Sequence, residues 1–168
     1  MPLTLILMRH AKSSWGDLTL DDFDRPLNGR GRASALAIGD WLIEQGQIPE
    51  AAQVSSARRA TETWERMAHL MAKVAKVEAN QALYHAGAES ILNVVRNETA
   101  RHLMVICHNP GIADFAHRIA RRGHPHPRFK DYPTAATAII EFSADSWQDI
   151  GWGKGQVTEF VIPRDLLA

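Results

Sequence analysis

Cysteine is almost absent from this chain: Cys107 is the only one in 168 residues. An intrachain disulfide is therefore excluded, and a reducing compartment is the natural setting. Net charge is absent too, because Lys+Arg and Asp+Glu both number 19. No global field draws the chain to nucleic acid or to a membrane surface, so any affinity for an anion must be local. No apolar run approaches the ~18 residues needed to span a bilayer. Residues 2–8 are too short, and lack the basic start, to be a signal peptide. The expectation is a cytoplasmic protein. Internal repeats are missing as well. Hydrophobic residues at 45% and charged ones at 23% suit an ordinary soluble domain, with residues 1–168 long enough to bury one real core.

What is present is a pattern at strand ends. The run Leu3-Thr4-Leu5-Ile6-Leu7 reads as a strand buried on both faces, as inside a parallel sheet. It ends in Met8-Arg9-His10. Gln53-Val54-Ser55-Ser56 leads into Arg58, and His102-Leu103-Met104-Val105-Ile106-Cys107 leads into His108. Ligands of open α/β sheets bind beyond the carboxyl ends of the strands. Parallel neighbours would bring Arg9, His10, Arg58 and His108 to one edge, and two cations with two imidazoles suit a phosphoryl group.

Between these strands the chain alternates. A polar loop over 11–28 precedes a helix near 29–45, whose Ala33, Leu36, Ala37 and Trp41 keep helical spacing. A strand near 52–55 precedes a helix near 57–72, with Ala60, Trp64, Met67, Ala68 and Met71 on one stripe and Ser55 or Ser56 as its cap. A strand near 74–78 and a helix near 88–97 follow. After strand 102–107, Asn109 and Pro110 suit the cap and first position of another helix, with Ile112, Phe115, Ala116 and Ile119 as its buried stripe. A loop over 122–134 leads to closing strands near 136–142 and 156–161. This alternation predicts a three-layer α/β/α sandwich with a mostly parallel central sheet.

The chemistry follows from the residue types. A neutral imidazole at His10 can attack phosphorus in line. Arg9 and Arg58 oppose its protonation, each by roughly 3 kcal/mol at ~5 Å and an effective dielectric of ~20. A backbone carbonyl, in the 11–16 loop or the Gly29–Gly31 turn, should fix its tautomer. The guanidinium forks would grip phosphoryl oxygens, each charge-assisted bond being worth about 1.5–3 kcal/mol. His108, protonated, would donate to the same oxygens. Such a site needs donors rather than a metal, so no cofactor is expected. His124 and His126, in the proline-bent basic loop 121–130, make a poor chelate, and that loop reads as solvated. Cys107 should face away from His108 and serve the core.

Four segments resemble the histidine phosphatase superfamily, the phosphoglycerate mutase-like fold. Leu7-Met8-Arg9-His10-Ala11-Lys12-Ser13 resembles its Arg-His signature, and Asp24-Arg25-Pro26-Leu27-Asn28-Gly29-Arg30-Gly31 its next segment. Ser55-Ser56-Ala57-Arg58-Arg59-Ala60-Thr61-Glu62-Thr63 resembles the segment of the second phosphate-binding arginine. Cys107-His108-Asn109-Pro110-Gly111 resembles that of the second histidine. The short length, Lys12-Ser13 and Pro133-Thr134-Ala135 resemble the small phosphohistidine phosphatase branch, called SixA-type. The resemblance implies His10 as nucleophile and Arg9, Arg58 and His108 as phosphate ligands, in a hydrolase that uses no metal. The implied partner is a phosphorylated protein or a small phosphorylated substrate.

Two departures bear on the substrate. Gly16 stands where many members place a phosphate-binding Asn. A proton donor for the leaving group is not singled out: Glu89, Tyr84 and His85 lie in the right stretch, and Glu89 is the candidate carried forward. A weak donor suits phosphohistidine, whose P–N bond is labile once its nitrogen is protonated. The alternatives are a phosphatase of small phosphate monoesters and a phosphoprotein-binding module without turnover.

Overall fold

The computed structural model describes residues 2–71 and 74–167. Six strands form one sheet: β1 Leu3–Arg9, β2 Ala51–Ser55, β3 Lys76–Asn80, β4 His102–Cys107, β5 Thr137–Phe142 and β6 Gln156–Val161. Their order across the sheet is β3-β2-β4-β1-β5-β6. The pairs β1–β4, β2–β4 and β2–β3 are parallel, whereas β5 runs against both β1 and β6. Only β5 is reversed, so the sheet is mostly parallel, as the alternation predicts.

Five helices accompany it: α1 Gly29–Glu44, α2 Arg58–Ala68, α3 Ala88–Arg96, α4 Gly111–Ile119 and α5 Pro163–Leu167. Two separate cores show how they are layered. Leu3, Leu5, Leu7, Leu103, Val105 and Cys107 pack with Ile91, Val95, Ile112 and Phe115, which places α3 and α4 on one face. Ile6, Met8, Met104 and Ile106 pack with Ala35, Ile38, Leu42, Trp64 and Met67, which places α1 and α2 on the other. The period of two along β1 and β4 sends alternate side chains to opposite layers. Fully burying each such side chain is worth about 1.5–3 kcal/mol. Both faces being covered explains why β1 and β4 are nearly continuous apolar runs.

Several boundaries differ from expectation. Helix α2 ends at Ala68 rather than near 72, and residue 72 lies outside the described residues. Neither Ser55 nor Ser56 caps α2: Ala57 holds the cap position without a side-chain bond. Asn109 is one residue too early to be the cap of α4, which is Pro110, although its Oδ1 still accepts from the Ala113 amide at 3.2 Å. Among the described residues no helix is long and apolar enough to cross a membrane.

Two glycines are demanded by close approach. A Cβ at Gly31 would overlap the Lys12 carbonyl, and one at Gly111 would overlap that of Ala86. The first brings the start of α1 against the segment that follows β1. The second brings the start of α4 against the segment that precedes α3.

Candidate active site

His10 follows the last residue of β1, and backbone bonds fix it on both sides. Its amide donates to Cys107 O at 3.1 Å, and its carbonyl accepts from the Ala135 amide at 3.0 Å. The ring Nδ1 lies 2.7 Å from Ala11 O. A carbonyl can only accept, so Nδ1 carries the hydrogen. In the neutral ring Nε2 then holds the lone pair. The expected tautomer-fixing carbonyl thus lies in the 11–16 loop.

Burial is the first cause that holds His10 well below the ordinary histidine range. The adjacent His108 is second, and Arg9 and Arg59 add to it, while the Ala11 bond pulls the other way. The arginines are therefore minor contributors to a neutrality that desolvation dominates.

His108 sits beyond β4, its ring centroid 5.0 Å from that of His10. Its Nε2 is 2.6 Å from Ser55 Oγ. That oxygen already accepts from the Ala57 amide at 3.3 Å, so its own hydrogen is available for Nε2. In that tautomer Nδ1 is the donor. Burial, then Arg59 and His85, lower the His108 pKa to about 3. The expectation of a protonated His108 is therefore corrected: in the free site it is a neutral donor.

The second arginine is also corrected. Arg58 is exposed at the first position of α2, in a surface depression with Thr61, Glu62, Glu65, Arg66 and His69. Arg59 is buried and lines the same pocket as Arg9, His10 and His108. The inward face of α2 carries Arg59 and Thr63, because Thr63 Oγ1 accepts the Ala11 amide at 3.0 Å and donates to Arg59 O at 2.6 Å. One helix position is a rotation of about 100°, and here it decides which cation enters the site.

Asp22 holds Arg59 in place. Its carbonyl and Oδ2 accept from the Arg59 fork at 2.7 and 3.0 Å. Its Oδ1 accepts from Arg25 at 3.0 and 3.2 Å, and its Oδ2 accepts from Tyr84 Oη at 2.7 Å. Burial alone pushes the Asp22 carboxyl up; the bonds from Tyr84, Arg25 and Arg59 together outweigh it and hold it well below the usual carboxylate range. Arg9 is held from the opposite side, where its Nη1 donates to Tyr132 O at 3.2 Å. Tyr132 has φ 50°, in the left-handed region. Its phenol donates to Leu7 O at 2.5 Å, and its carbonyl also accepts from Asn109 Nδ2 at 3.1 Å.

Three buried nitrogens around this pocket have no partner among the described residues: Arg9 Nε, Arg59 Nε and His108 Nδ1. Each such group left unpaired costs about 1–3 kcal/mol. The residues that carry them line one pocket, and two guanidinium groups with two imidazoles there suit an oxyanion. The pocket is open, about 280 Å³, and its wall is completed by Lys12, Ser13, Trp15, Arg25, Asn109 and Thr134. Among the described residues no three His, Cys, Asp or Glu side chains are grouped as metal ligands.

Of the other sequence candidates, Glu89 lies apart from it, whereas Tyr84 and His85 border it beside His108. Glu89 is exposed and pairs with Arg118 at 3.0 Å. Tyr84 lies beside His108, ring centroids 5.7 Å apart, and His85 stacks on Tyr84 at 3.9 Å. Burial raises the Cys107 thiol to about 12, and that side chain belongs to the α3/α4 core. In the basic loop, His126 pairs with Asp165 at 3.0 Å and both histidines pack around Phe160. The rest of that loop, with Arg121, Arg122, Arg128 and Lys130 exposed, fits the solvated reading, and Phe129 is its one buried side chain.

Sequence reasoning missed Arg59, Asp22, Ser55 as the partner of His108, and the Tyr132 carbonyl. Asp22 gave no signal, being one of several acids in a polar loop.

Comparison with known proteins gives similarities of sequence and of fold. Residues 5–84 match the model of the histidine phosphatase superfamily (branch 1). An uncharacterized chloroplastic protein of Arabidopsis thaliana is 26% identical over 156 residues, 86% of this chain and 69% of that one. Among solved structures, a protein of Nakamurella multipartitia provisionally designated phosphohistidine phosphatase SixA superposes with a TM-score of 0.84 at 23% identity, over 97% of each chain. The protein histidine phosphatase SixA complexed with tungstate gives 0.76 at 21% identity, over 98% of this chain and 99% of that one.

Proposed function

We propose that this chain, whose residues 5–84 match the model of the histidine phosphatase superfamily (branch 1), is a phosphatase of that superfamily that carries the phosphoryl group on His10 and takes phosphohistidine on proteins as its substrate. It acts without a metal, in the cytoplasm, with residues 1–168 as one domain. The observation that carries the reading is the bond from His10 Nδ1 to Ala11 O at 2.7 Å. It leaves a neutral Nε2 lone pair in a pocket lined by Arg9, Arg59 and His108.

In the first step Nε2 attacks phosphorus in line and forms a P–N bond. The bond to the leaving group breaks opposite, and the leaving nitrogen keeps the electron pair and takes a proton. In the second step water attacks the phosphoryl group, phosphate leaves, and Nε2 regains its lone pair. Arg9, Arg59 and His108 would face the equatorial oxygens, where charge spreads in the transition state. Those cationic and neutral donors take the part a metal plays elsewhere.

The substrate reading rests on the leaving group. Among the described residues that line the pocket none is a carboxylic acid, and Glu89 is paired with Arg118 on the surface. A P–N bond, protonated from solvent, needs less help than an alkyl ester. The names of the SixA structures support the same choice.

The test is rapid-quench incubation with labelled phosphohistidine protein. Acid-labile, base-stable label should appear on His10 within one turnover. Absence of label on the wild type, with turnover intact, would refute the covalent route. Turnover of an alkyl monoester far faster than phosphohistidine would refute the substrate. Loss of activity to a chelator, restored by added metal, would refute the metal-free mechanism.

A further inference from the structure

We infer that Trp15 is a stacking platform that selects phosphoryl compounds with a planar leaving group, imidazole foremost; this deepens the phosphatase reading above and rests on its pocket. Trp15 lines that pocket together with His10 and His108, yet its side chain is 69% exposed. An indole open to water at the edge of a polar pocket offers a flat apolar face on which a planar group can stack.

Its pose is fixed from below. The Arg25 guanidinium lies 3.5 Å from the centre of the Trp15 ring. Arg25 is buried and has little freedom of its own. Its Nη1 donates to Ser13 Oγ at 2.7 Å and Ser14 O at 3.3 Å, and its Nε and Nη2 both reach Asp22 Oδ1. The segment is further held by a bridge between Ser13 and Leu27 and by the Ser14 amide on Pro26 O at 2.8 Å. One face of the indole thus rests on an immobilised cation, and most of the residue's remaining surface is open to solvent.

Asp22 holds Arg25 with one carboxylate oxygen and Arg59 with the other. The platform and a phosphate-facing guanidinium are therefore set by one side chain, which fixes their relative position. A planar ring attached to phosphorus in the pocket can lie on the exposed indole surface; an alkyl group covers less of it. Aromatic pairs of this kind favour binding by about two- to tenfold beyond area alone.

The experiment compares two unreactive phosphonates by calorimetry on wild type, Trp15→Ala and Trp15→Phe. Benzylphosphonate should bind wild type more tightly than methylphosphonate. Trp15→Ala should lower benzylphosphonate affinity about two- to tenfold and leave methylphosphonate unchanged, and Trp15→Phe should recover most of the loss. In turnover, Trp15→Ala should raise KM for phosphoimidazole with little change for glycerol phosphate. Equal loss for both phosphonates, or no loss, overturns the platform. If wild type binds both phosphonates but turns over no substrate, the phosphatase reading fails, while the benzyl-to-methyl ratio still decides the platform. If it binds neither, both readings fail.

Discussion

The two ends of the sheet carry open depressions of unlike character. At the amino end of β1, Pro2, Arg121, Glu141, Phe142, Asp149 and Lys154 border a hollow of about 560 Å³. At the carboxyl end the pocket around His10 is about half that, roughly 280 Å³. The larger one mixes both signs of charge, and its charged groups Arg121, Asp149 and Lys154 are exposed and already solvated. The smaller one contains buried nitrogens whose bonding capacity is unmet. Volume therefore says little about where chemistry happens. Buried donors that gather say more: Arg9 Nε, Arg59 Nε and His108 Nδ1 belong to residues that border one pocket.

The sharpest way to break this contrast is His10→Ala. Turnover of phosphohistidine should fall by roughly 10⁴-fold or more, measured as steady-state phosphate release; near-normal turnover would move the chemistry elsewhere. Next comes Arg59→Ala, with an expected loss of about 10²–10³ in kcat/KM. Arg58→Ala should stay within about twofold, as expected of an exposed residue away from the reacting groups. Reversal of that order would return the phosphate to the outer face of α2. Asp22→Asn keeps shape but weakens the grip on Arg25 and Arg59, and about a tenfold loss is expected. At the opposite end, Arg121→Ala and Lys154→Ala should leave kcat/KM unchanged.

A smaller and slower effect concerns pH. His10 and His108 are held neutral in the folded protein, while in the unfolded chain histidine protonates near 6.5. Below that value the unfolded state binds more protons, so stability falls as pH drops. The contribution of His108 is fully present above about 6.5 and is lost progressively toward its folded value of about 3. His108→Gln should flatten this slope in urea unfolding measured from pH 7 to pH 4. Parallel curves for wild type and variant would contradict the burial of a neutral imidazole.

The strands and helices with a strong period were legible, and β4 was read to the residue; α5 was not anticipated, and β3 lies at Lys76–Asn80 rather than near 74–78. Arg9, His10 and His108 were legible because polar groups end apolar strands there. Arg59 was not. At about 100° per residue, the stripe of Ala60, Trp64, Met67, Ala68 and Met71 leaves Arg58 and Arg59 almost equally far round the helix, on opposite sides. Long-range contacts turn Arg59 inward: Thr63 with Ala11, 52 residues away in sequence, and Arg59 itself with Asp22. The charge state of His108 was misread for a related reason. Its neutrality comes from burial, and burial is set by elements that sequence spacing alone does not assemble.

Gly31 gives the helix layer a hold over the nucleophile. Because a methyl group there would collide with the Lys12 carbonyl, Gly31→Ala should force either α1 outward or residues 11–13 aside. Ala11 carries the oxygen that chooses which imidazole nitrogen is free. On the proposed mechanism, a substitution on a helix thus disarms His10 by letting the ring turn over, with the sheet and both cores still intact.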